Sequence, residues 1–420
     1  MNVRRRVAVL AAVMMTALPT AGAAVADDAG PSGAPSATPA LPAGLYGAGD
    51  PTYDGVFRQS YALLAQHTAG VRPAAEAVGW LAGQQCPNGG FAAYRSDPAR
   101  SCTEKTPVDS NSTATAAQAL AALGGHRDRV EKAVRWLRSV QNEDGGWGYT
   151  PGLPSDANST GLAVGALAAA GQRPEGVRSA KDGKSPYDAL PALALPCGKD
   201  GKGGAFGLRD AKSGKLAANA DATAAGVLGG LGRTVVVGAG DSKAAGKDSG
   251  CRAAHGLTAR QAAANGAAYL DGLLARTPYL VSSLPGAEDA PDYGNTADAV
   301  VALAAAGHGT TAHRSAEWLA GHAGGWAKQN GPAAWAQLVL AAHAAGTDPR
   351  HFGGTDLVAA LNATGPAPAS GPASAAGPER SGDRDGKGGS SSGTWWLVGV
   401  CLVAGIGGGL LLSTRTRRTP

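Results

Sequence analysis

A polar cluster followed by an apolar run recurs along the chain, and this repeat constrains the fold more than any other sequence feature. Each copy begins with Asp, Asn, Ser and Thr residues, continues in Ala, Leu and Val, and ends at a Gly; the copies span 109–124, 156–171, 218–232 and 292–307. In the first three copies an Asn precedes the closing Gly by 13 residues, and in the fourth by 12. Repetition of this kind is typical of an array built from one supersecondary unit.

A second repeated motif is rich in Trp and Gly. Residues 136–147 read W-L-x3-Q-x3-G-G-W, and residues 80–91, which lie 56 positions upstream, read W-L-x3-Q-x3-G-G-F. A degraded copy combines Trp318-Leu319 with Gly324-Gly325-Trp326, and residues 203–206 retain only the Gly and aromatic end. The pair Gly145-Gly146 predicts the end of the helix that precedes it.

Each repeat predicts two helices of different character. The first, such as 129–141, has Val130, Val134 and Leu137 on one face and charged residues on the other, so one side is buried and the other faces water. The second, such as 159–170, is apolar on nearly all sides and is therefore buried. We expect the polar residues before it to be N-caps and the Gly after it a C-cap.

This alternation predicts an outer ring of helices around an inner ring. Twelve helices are predicted, odd ones inner and even ones outer, at 55–68, 74–85, 112–123, 129–141, 159–170, 186–195, 220–231, 259–275, 295–306, 314–321, 332–345 and 354–363. An inner first helix and an outer last helix allow six hairpins to close on themselves. The predicted fold is all-α: an α/α toroid (α6/α6 barrel), with strands only as short segments in loops.

The pattern at 136–147 resembles the repeat of squalene–hopene cyclases and of the protein prenyltransferase β subunit, the prenyltransferase/squalene oxidase repeat family. The resemblance covers roughly 55–363 and is strong in two repeats. It implies the α/α toroid that terpenoid cyclases and protein prenyltransferases share. A similar barrel occurs in the cobalamin carriers intrinsic factor and transcobalamin, and in the thioester domain of complement-like proteins. The fold alone therefore does not identify the function.

The chemistry of each of these families depends on residues that this sequence lacks. It has no Asp-x-Asp-Asp motif, which supplies the acid in the cyclases. Cys251 has no Asp at the spacing of the prenyltransferase zinc pair, and 197–200 read C-G-K-D where the thioester motif reads C-G-E-Q. The sequence leaves open whether the chain is an enzyme or a binding protein, and it favours a binding protein. No catalytic residue, metal site or required cofactor is predicted.

Both ends of the chain predict export and a membrane anchor. Residues 1–26 have the Arg-rich start, apolar stretch and Ala-Val-Ala ending of a cleaved signal peptide. Residues 395–412 contain no charge and would form a helix about 27 Å long, which matches the core of a bilayer. Arg residues in 413–420 favour a cytoplasmic tail. We expect a single-pass protein of the cell membrane with its body outside the cell.

Composition separates a folded body from two linkers. The stretches 27–50 and 364–394 are rich in Ala, Pro, Gly and Ser, and they predict a linker and a disordered stalk on either side of a toroid domain at 51–363. The net charge is +5, from 37 basic and 32 acidic residues. Six Arg residues at the two ends account for it, since the rest has 31 basic against 32 acidic residues. Such a neutral body argues against nucleic acid as a partner.

The cysteines fit an extracellular domain. Cys401 lies within the predicted membrane segment, which leaves an even number outside it: Cys86, Cys102, Cys197 and Cys251. Four cysteines allow three pairings. We expect Cys86–Cys102 and Cys197–Cys251, because each pair closes one local loop. The C-x2–4-C spacing of a structural zinc site is absent.

The predicted functional surface is the end of the ring at which the inner helices begin. Helix N-termini carry partial positive charge and free N–H groups, and a closed ring would bring their polar residues together. The candidate ligand-binding residues are Asp109, Asn111, Asp156, Asn158, Asn219, Asp221, Asp292, Asn295, Tyr149, Tyr293 and Trp335. Helix capping alone is the alternative role of the polar ones.

Three functions stay open. The favoured one is a cell-surface domain that binds a small molecule, with a cobalamin-like corrinoid as one candidate, for capture or for transfer to a membrane transporter. The first alternative is a toroid enzyme with a diverged active site, of the terpenoid cyclase/prenyltransferase class or a polysaccharide lyase. The second is a structural or protein-binding surface module.

Overall fold

The computed structural model describes residues 42–198, 201–210, 213–239, 250–253, 256–282 and 289–370. The predicted signal peptide, the membrane segment 395–412 and the tail 413–420 lie outside the described residues, as do most of the linker and of the stalk. Among the residues that are described, no helix has the length and apolar character needed to cross a membrane.

Helices make up nearly all of the regular structure in the described part of the chain. They are α1 (Gly55–Thr68), α2 (Ala75–Gly83), α3 (Ser110–Leu123), α4 (Arg127–Ser139), α5 (Ala157–Ala169), α6 (Pro186–Ala192), α7 (Ala220–Gly230), α8 (Ala259–Leu274), α9 (Tyr293–Ala306), α10 (Gly309–His322), α11 (Gly324–Asn330), α12 (Pro332–Ala344) and α13 (Leu357–Asn362). The predicted all-α class is confirmed.

Within the residues that the structure describes, strands are limited to three short antiparallel pairs, as predicted. The pairs are β1 (Phe91–Ala92) with β2 (Val108–Asp109), β3 (Gly207–Arg209) with β4 (Leu216–Ala218), and β5 (Leu280–Val281) with β6 (Pro291–Asp292). Each pair ends at or just before an inner helix: α3, α7 or α9. The pairs therefore fix how the chain enters these helices.

Six helices form an inner layer, and their contacts return to the starting helix. α1 packs against α3, α3 against α5, α5 against α7, α7 against α9, α9 against α12, and α12 against α1. Each of the outer helices α2, α4, α6, α8, α10 and α13 contacts two inner helices that are neighbours in this cycle. The inner helices are almost entirely buried; in α12 every residue except His343 is buried.

The outer helices are amphipathic. In α4 the buried residues include Val130, Ala133, Val134 and Leu137, which recur at helical spacing, while the Arg and Glu residues between them are exposed or half-buried. The buried stripe faces the inner helices α3 and α5. Apolar burial on one side and charge on the other is the pattern that the sequence predicts for the first helix of each repeat.

Small residues let the inner helices approach closely. A Cβ on Gly161 of α5 would lie 2.5 Å from the carbonyl oxygen of Ala225 on α7. Contacts join equivalent positions: Asn158 and Asp221, each the second residue of its helix, are hydrogen-bonded. Because equivalent positions meet, α5 and α7 run in the same direction and their polar N-termini lie at the same end.

A Thr in the first turn of four inner helices connects each helix to the segment before it. The Thr lies four residues after the capping residue, and its hydroxyl oxygen accepts a backbone N–H from that earlier segment. The pairs, with N···O distances of 2.8–3.0 Å, are Phe91–Thr113, Trp147–Thr160, Phe206–Thr223 and Leu280–Thr296. Three of the donors belong to the aromatic ends of the Gly-rich motif, so the Thr residues join the two repeated motifs of the sequence.

The predicted helix 314–321 ends near the expected position, since α10 ends at His322, but a helix that was not predicted, α11, begins at Gly324. In the strong repeats the first Gly of the pair has a positive φ, 99° at Gly89 and 90° at Gly145, and a Cβ there would lie 2.2 Å from a backbone carbonyl oxygen. Neither Gly324 nor Gly325 has a positive φ, and a Cβ on either would meet nothing within 4 Å. The degraded copy lacks the constraint, so the described residues contain thirteen α-helices where twelve were predicted.

The described parts of the predicted linker and stalk belong to the folded body. Tyr46 is fully buried; its backbone N–H donates to Gln59 at 2.9 Å and its hydroxyl to the carbonyl oxygen of Pro366 at 3.1 Å. The N–H of Gly47 donates to the carbonyl oxygen of Thr364 at 2.8 Å. Tyr46 thus packs its aromatic ring between the first and last segments of the body. The folded body therefore extends beyond 51–363.

Both predicted disulfides are present. Cys86 is bonded to Cys102 and Cys197 to Cys251, at sequence separations of 16 and 54. The first loop contains Phe91 of the Gly–aromatic motif, and the second contains the whole of α7. The pairings close local loops, which was the basis for predicting them.

Candidate functional site

Four inner helices begin at a polar side chain that caps them. In each case the side chain accepts a hydrogen bond, at 2.6–3.1 Å, from the backbone N–H three residues later. The capping residues are Asp109, Asp156, Asn219 and Asp292. The other polar candidates lie inside the first turn: Asn111, Asn158, Asp221 and Asn295. Their side chains are not needed as caps and can make other contacts.

Asn158 and Asp221 meet between α5 and α7. The side-chain amide of Asn158 donates to Asp221 Oδ2 at 2.6 Å. The other oxygen of each side chain, Asn158 Oδ1 and Asp221 Oδ1, is enclosed and has no hydrogen-bond partner. Asp221 retains some exposed surface as a whole residue, although its Oδ1 is inaccessible. Buried acceptors without a donor cost free energy, so this junction can accept hydrogen bonds from a ligand.

A second polar pair, Asp298 and Gln337, lies between α9 and α12. The side-chain amide of Gln337 donates to Asp298 Oδ2 at 3.1 Å, and both residues are only 3% exposed. Gln337 Oε1 has no partner. Sequence analysis missed these two residues. The signal that could have found them is a single Asp or Gln within an otherwise apolar inner helix.

The carboxyl groups at α5, α7 and α9 act on one another. Burial raises the pKa of Asp221 to about 6, and the charges of Asp292 and Asp156 add to the rise, while the hydrogen bond from Asn158 opposes it. Burial raises the pKa of Asp298 well above its usual value, and the charges of Asp221 and Asp292 contribute. Burial also raises the pKa of Asp156. Burial therefore disfavours the ionisation of Asp156, Asp221 and Asp298 in this acidic region.

The start of α3 has a buried carboxyl of its own. Asp109 is 2% exposed, and burial raises its pKa to about 6 although the backbone N–H of Ser112 stabilises its charged form. Burial and the charge of Asp109 raise the pKa of the Tyr149 phenol to about 12. Asn111 Oδ1, in the same first turn, is a further enclosed acceptor without a partner.

The three aromatic candidates have different surroundings. Tyr149 is 46% exposed, and its backbone carbonyl accepts the N–H of Ser110. Tyr293, at the start of α9, stacks on Trp318 and Trp326 with ring centroids 5.4 and 5.8 Å apart. Trp335 is buried in the hydrophobic core between the inner helices. Only the first two are open to solvent, so Trp335 contributes to packing.

A cavity of about 10 Å³ lies among α3, α5 and α7 and is bounded by Gln118, Gly161 and Gly165. This volume holds about one water molecule. A larger open depression, of about 540 Å³, lies on the surface and is lined by Asn142, Glu143, Asp144, Gly152, Leu153, Pro154, Ser155 and Arg209.

The structure brings some of the predicted residues together. Asp156, Asn158 and Asp221 meet at α5 and α7, and Asp292 joins them through its charge. Asn295 donates to Asp292 at 2.8 Å, and Asn219 Oδ1 accepts the capping N–H of Ala222 at 2.8 Å. Within the described residues, no group of three or more His, Cys, Asp or Glu side chains is arranged to hold a metal ion.

Neither the known family models nor the curated proteins include a match to this chain. Among solved structures, the chain is similar to a protein from Actinoplanes at 15% sequence identity and a TM-score of 0.43, over 72% of this chain and 93% of that one.

Proposed function

We propose that this protein is a membrane-tethered extracellular domain that binds a small molecule at the end of the helical layer where the inner helices begin. The cycle of contacts among six inner helices, each pair bridged by an outer helix, supports an α/α toroid. It is the arrangement expected from the likeness to prenyltransferase/squalene oxidase repeats. Such a fold would present the starts of all inner helices on one surface.

The observation that carries the proposal is the set of enclosed acceptors without donors at these helix starts. Asn158 Oδ1, Asp221 Oδ1 and Asn111 Oδ1 are enclosed and unpaired in the first turns, and Gln337 Oε1 is unpaired one turn further into α12. An unpaired buried acceptor costs about 1–3 kcal/mol. A ligand that donates hydrogen bonds would recover this free energy on binding.

Export and anchoring are part of the same proposal. Two disulfides fit an oxidising compartment outside the cytoplasm. The sequence of 1–26 supports a signal peptide, and that of 395–412 a membrane anchor. A chain ending at residue 394 should then be released into the growth medium, while the full-length chain stays with the membrane fraction. Release of both, or retention of both, would contradict the anchor.

Native mass spectrometry of the full-length protein in detergent tests the binding function. The protein would be incubated with an extract of growth medium and, separately, with cyanocobalamin, whose peripheral amides donate hydrogen bonds. We expect an adduct of one small molecule on the wild-type protein. A bound molecule would support the proposal that the protein captures a small molecule. In that proposal the captured molecule is then transferred to a membrane transporter. Failure to find any adduct at millimolar concentrations would contradict it.

The variant Asp221→Asn tests whether the ligand binds at the starts of the inner helices. The substitution keeps the size of the side chain and an acceptor for Asn158, but removes the carboxylate. We expect the fraction of protein with adduct to fall at least tenfold. Asp356→Asn is the matched control, because Asp356 caps the outer helix α13 and accepts from Ala359 at 2.8 Å. An equal adduct in both variants would place the ligand elsewhere.

An enzyme with a diverged active site is the second candidate, and one observation favours it. Asp221 and Asp298 are buried carboxyl groups with raised pKa values, and the charge of Asp221 contributes to the rise at Asp298. Such pairs can divide the roles of acid and base between them. The same mass spectra separate the two functions: a binding protein returns the small molecule with its mass unchanged, whereas an enzyme consumes it or changes its mass.

A further inference from the structure

One corner of the proposed site, where α9 begins beside α11 and α12, differs from the other helix starts. Two residues after the cap, α3, α5 and α7 have Asn111, Asn158 and Asp221, whereas α9 has Gly294. The Gly leaves a space where the others have a polar side chain. A Cβ on Gly294 would lie 3.4 Å from Trp326 Cζ2 and 3.7 Å from Gln337 Oε1, so these two atoms border the space.

The inner wall of this space is an acceptor without a donor. Gln337 is 3% exposed, and its Oε1 has no hydrogen-bond partner, while its amide nitrogen is held by Asp298 at 3.1 Å. The contact with Asp298 fixes the orientation of the amide. Its Oε1 and Nε2 would lie 3.7 and 3.8 Å from a Cβ on Gly294, and of these two atoms Oε1 lacks a partner. Any group that enters the space must therefore donate a hydrogen bond to satisfy this oxygen.

Carboxyl groups lie near the same space. Asp292 caps α9 two residues before Gly294, and Asp298 lies one turn further along the helix. Asp221 on α7 is near enough for its charge to act on Asp298. All three groups are carboxyls. Burial opposes the ionisation of Asp221 and Asp298, and a cation in the space would favour their charged forms.

Aromatic rings form its outer side. Tyr293 stacks on Trp326 with centroids 5.8 Å apart, and both residues are half-buried and so remain open to solvent. Trp318, 5.4 Å from Tyr293, continues the stack. Aromatic rings attract cations through their π faces, and they also pack well against alkyl groups.

We infer that the space at Gly294 is a subsite for a primary alkylammonium group, whose N–H donates to Gln337 Oε1 and whose charge is balanced by Asp292 and Asp298. The alkyl chain lies along Trp326 and Tyr293. A neutral alcohol would satisfy the acceptor but not the carboxylates. A quaternary ammonium would satisfy the carboxylates but has no N–H for Gln337. This inference rests on the proposed binding function and names the chemical class of the ligand.

The test follows the indole signals of the eight tryptophans in the full-length protein by ¹⁵N NMR, in a non-ionic detergent. The Trp326 signal is assigned with Trp326→Phe. The probes are n-butylammonium, 1-butanol and tetramethylammonium. We expect n-butylammonium to shift the Trp326 signal in a saturable manner, with an affinity at least tenfold above those of the other two probes.

Gly294→Ala fills the space without a clash, since its Cβ would meet its neighbours at ordinary contact distances. We expect it to lower the n-butylammonium affinity at least tenfold while the protein stays folded. Gly272→Ala in α8 is the matched control, because a Cβ there meets nothing within 4 Å, and it should bind as the wild type does. Equal affinity in Gly294→Ala, or equal affinity for 1-butanol or tetramethylammonium, would overturn the inference.

The result separates this inference from the proposed function. If n-butylammonium fails while an adduct sensitive to Asp221→Asn is still found by mass spectrometry, the ligand class is wrong and the binding function stands. If neither n-butylammonium nor any adduct binds, both are contradicted.

Discussion

Thr160 illustrates how single residues join the repeated motifs of this chain. Its hydroxyl oxygen accepts the N–H of Trp147 at 3.0 Å, and the Trp147 indole N–H donates to the carbonyl oxygen of Leu137 at 2.8 Å. One side chain thus connects the start of α5 to the segment that follows α4. The Thr positions belong to the polar clusters seen in the sequence, but a hydrogen bond to a segment 13 residues earlier cannot be read from the cluster alone.

Replacing Thr160 by Val should therefore destabilise the protein. The substitution keeps the shape of the side chain but leaves the buried N–H of Trp147 without an acceptor. We expect the free energy of unfolding to fall by about 1–3 kcal/mol, measured by urea denaturation. Thr160→Ser keeps the hydroxyl and is the control. A loss in Thr160→Val that is no larger than the loss in Thr160→Ser would contradict the contribution assigned to the hydrogen bond.

The buried carboxyl group of Asp109 should make the stability of the protein depend on pH. Its pKa is raised by burial from 3.8 to about 6, so the folded state keeps a proton that the unfolded state releases. Stability from this group is therefore greatest below about pH 4 and decreases as the pH rises to about 6. Asp109→Asn keeps a capping oxygen and cannot ionise.

Above about pH 7 we expect Asp109→Asn to be more stable than the wild type by about 3 kcal/mol. This figure follows from the rise of roughly two units in the pKa of Asp109, each unit corresponding to about 1.4 kcal/mol. The two proteins should be equally stable below about pH 4. Thermal unfolding over this pH range measures the difference. If the wild type were instead more stable than Asp109→Asn at neutral pH, the charged carboxylate would be the better cap and the prediction would be contradicted.

At the scale of helices, the periodicity of apolar residues predicted most of the fold, since burial follows directly from which faces are apolar. Eleven of the twelve predicted helices both begin and end within three residues of those observed. Three of the inner helices begin two residues earlier than predicted, directly after the caps Asp109, Asp156 and Asp292. The start of α11 was missed because a Gly pair breaks a helix only where tertiary contacts demand a positive φ. Asp298 and Gln337 were missed because their pairing depends on the register between α9 and α12.

Because α5 and α7 approach closely at Gly161, adding one methyl group there should lower the free energy of unfolding. Gly161→Ala would place a Cβ 2.5 Å from the carbonyl oxygen of Ala225, so the helices must separate. Overpacking of this kind costs about 1–3 kcal/mol. Gly79→Ala, on the exposed side of α2 with nothing within 4 Å, should instead stabilise the protein by about 0.5–1 kcal/mol. Urea denaturation of both variants checks the contrast; similar values would contradict the close helix contact.

At the scale of the whole molecule, the two ends of the described chain hold each other in place. Gln66 on α1 donates to Asn362 at the end of α13 at 2.6 Å, and Tyr46 bonds to Pro366. The first and last helices are therefore joined by polar contacts as well as by packing of α1 on α12 and α13. The sequence predicted the pairing of first and last helices from their inner and outer character, but assigned the segments that secure it to linkers.

The disulfides should contribute to the stability of this closed arrangement. Loop closure over separations of 16 and 54 residues corresponds to about 3 and about 4 kcal/mol in the chain-entropy estimate. We expect the double variants Cys86→Ser/Cys102→Ser and Cys197→Ser/Cys251→Ser to lose stability by about these amounts in urea denaturation, with the larger loss for the longer loop. No loss in either would indicate that the loops are already constrained by packing.

The most direct test of the account is an experimental structure of the full-length protein with the small molecule that mass spectrometry identifies. We expect the ligand to lie at the starts of the inner helices, with donors within hydrogen-bond distance of Asn158 Oδ1, Asp221 Oδ1 or Gln337 Oε1, which have no partners in the free protein. A ligand in the open depression lined by Asn142, Leu153 and Arg209, with those acceptors still unpaired, would contradict it.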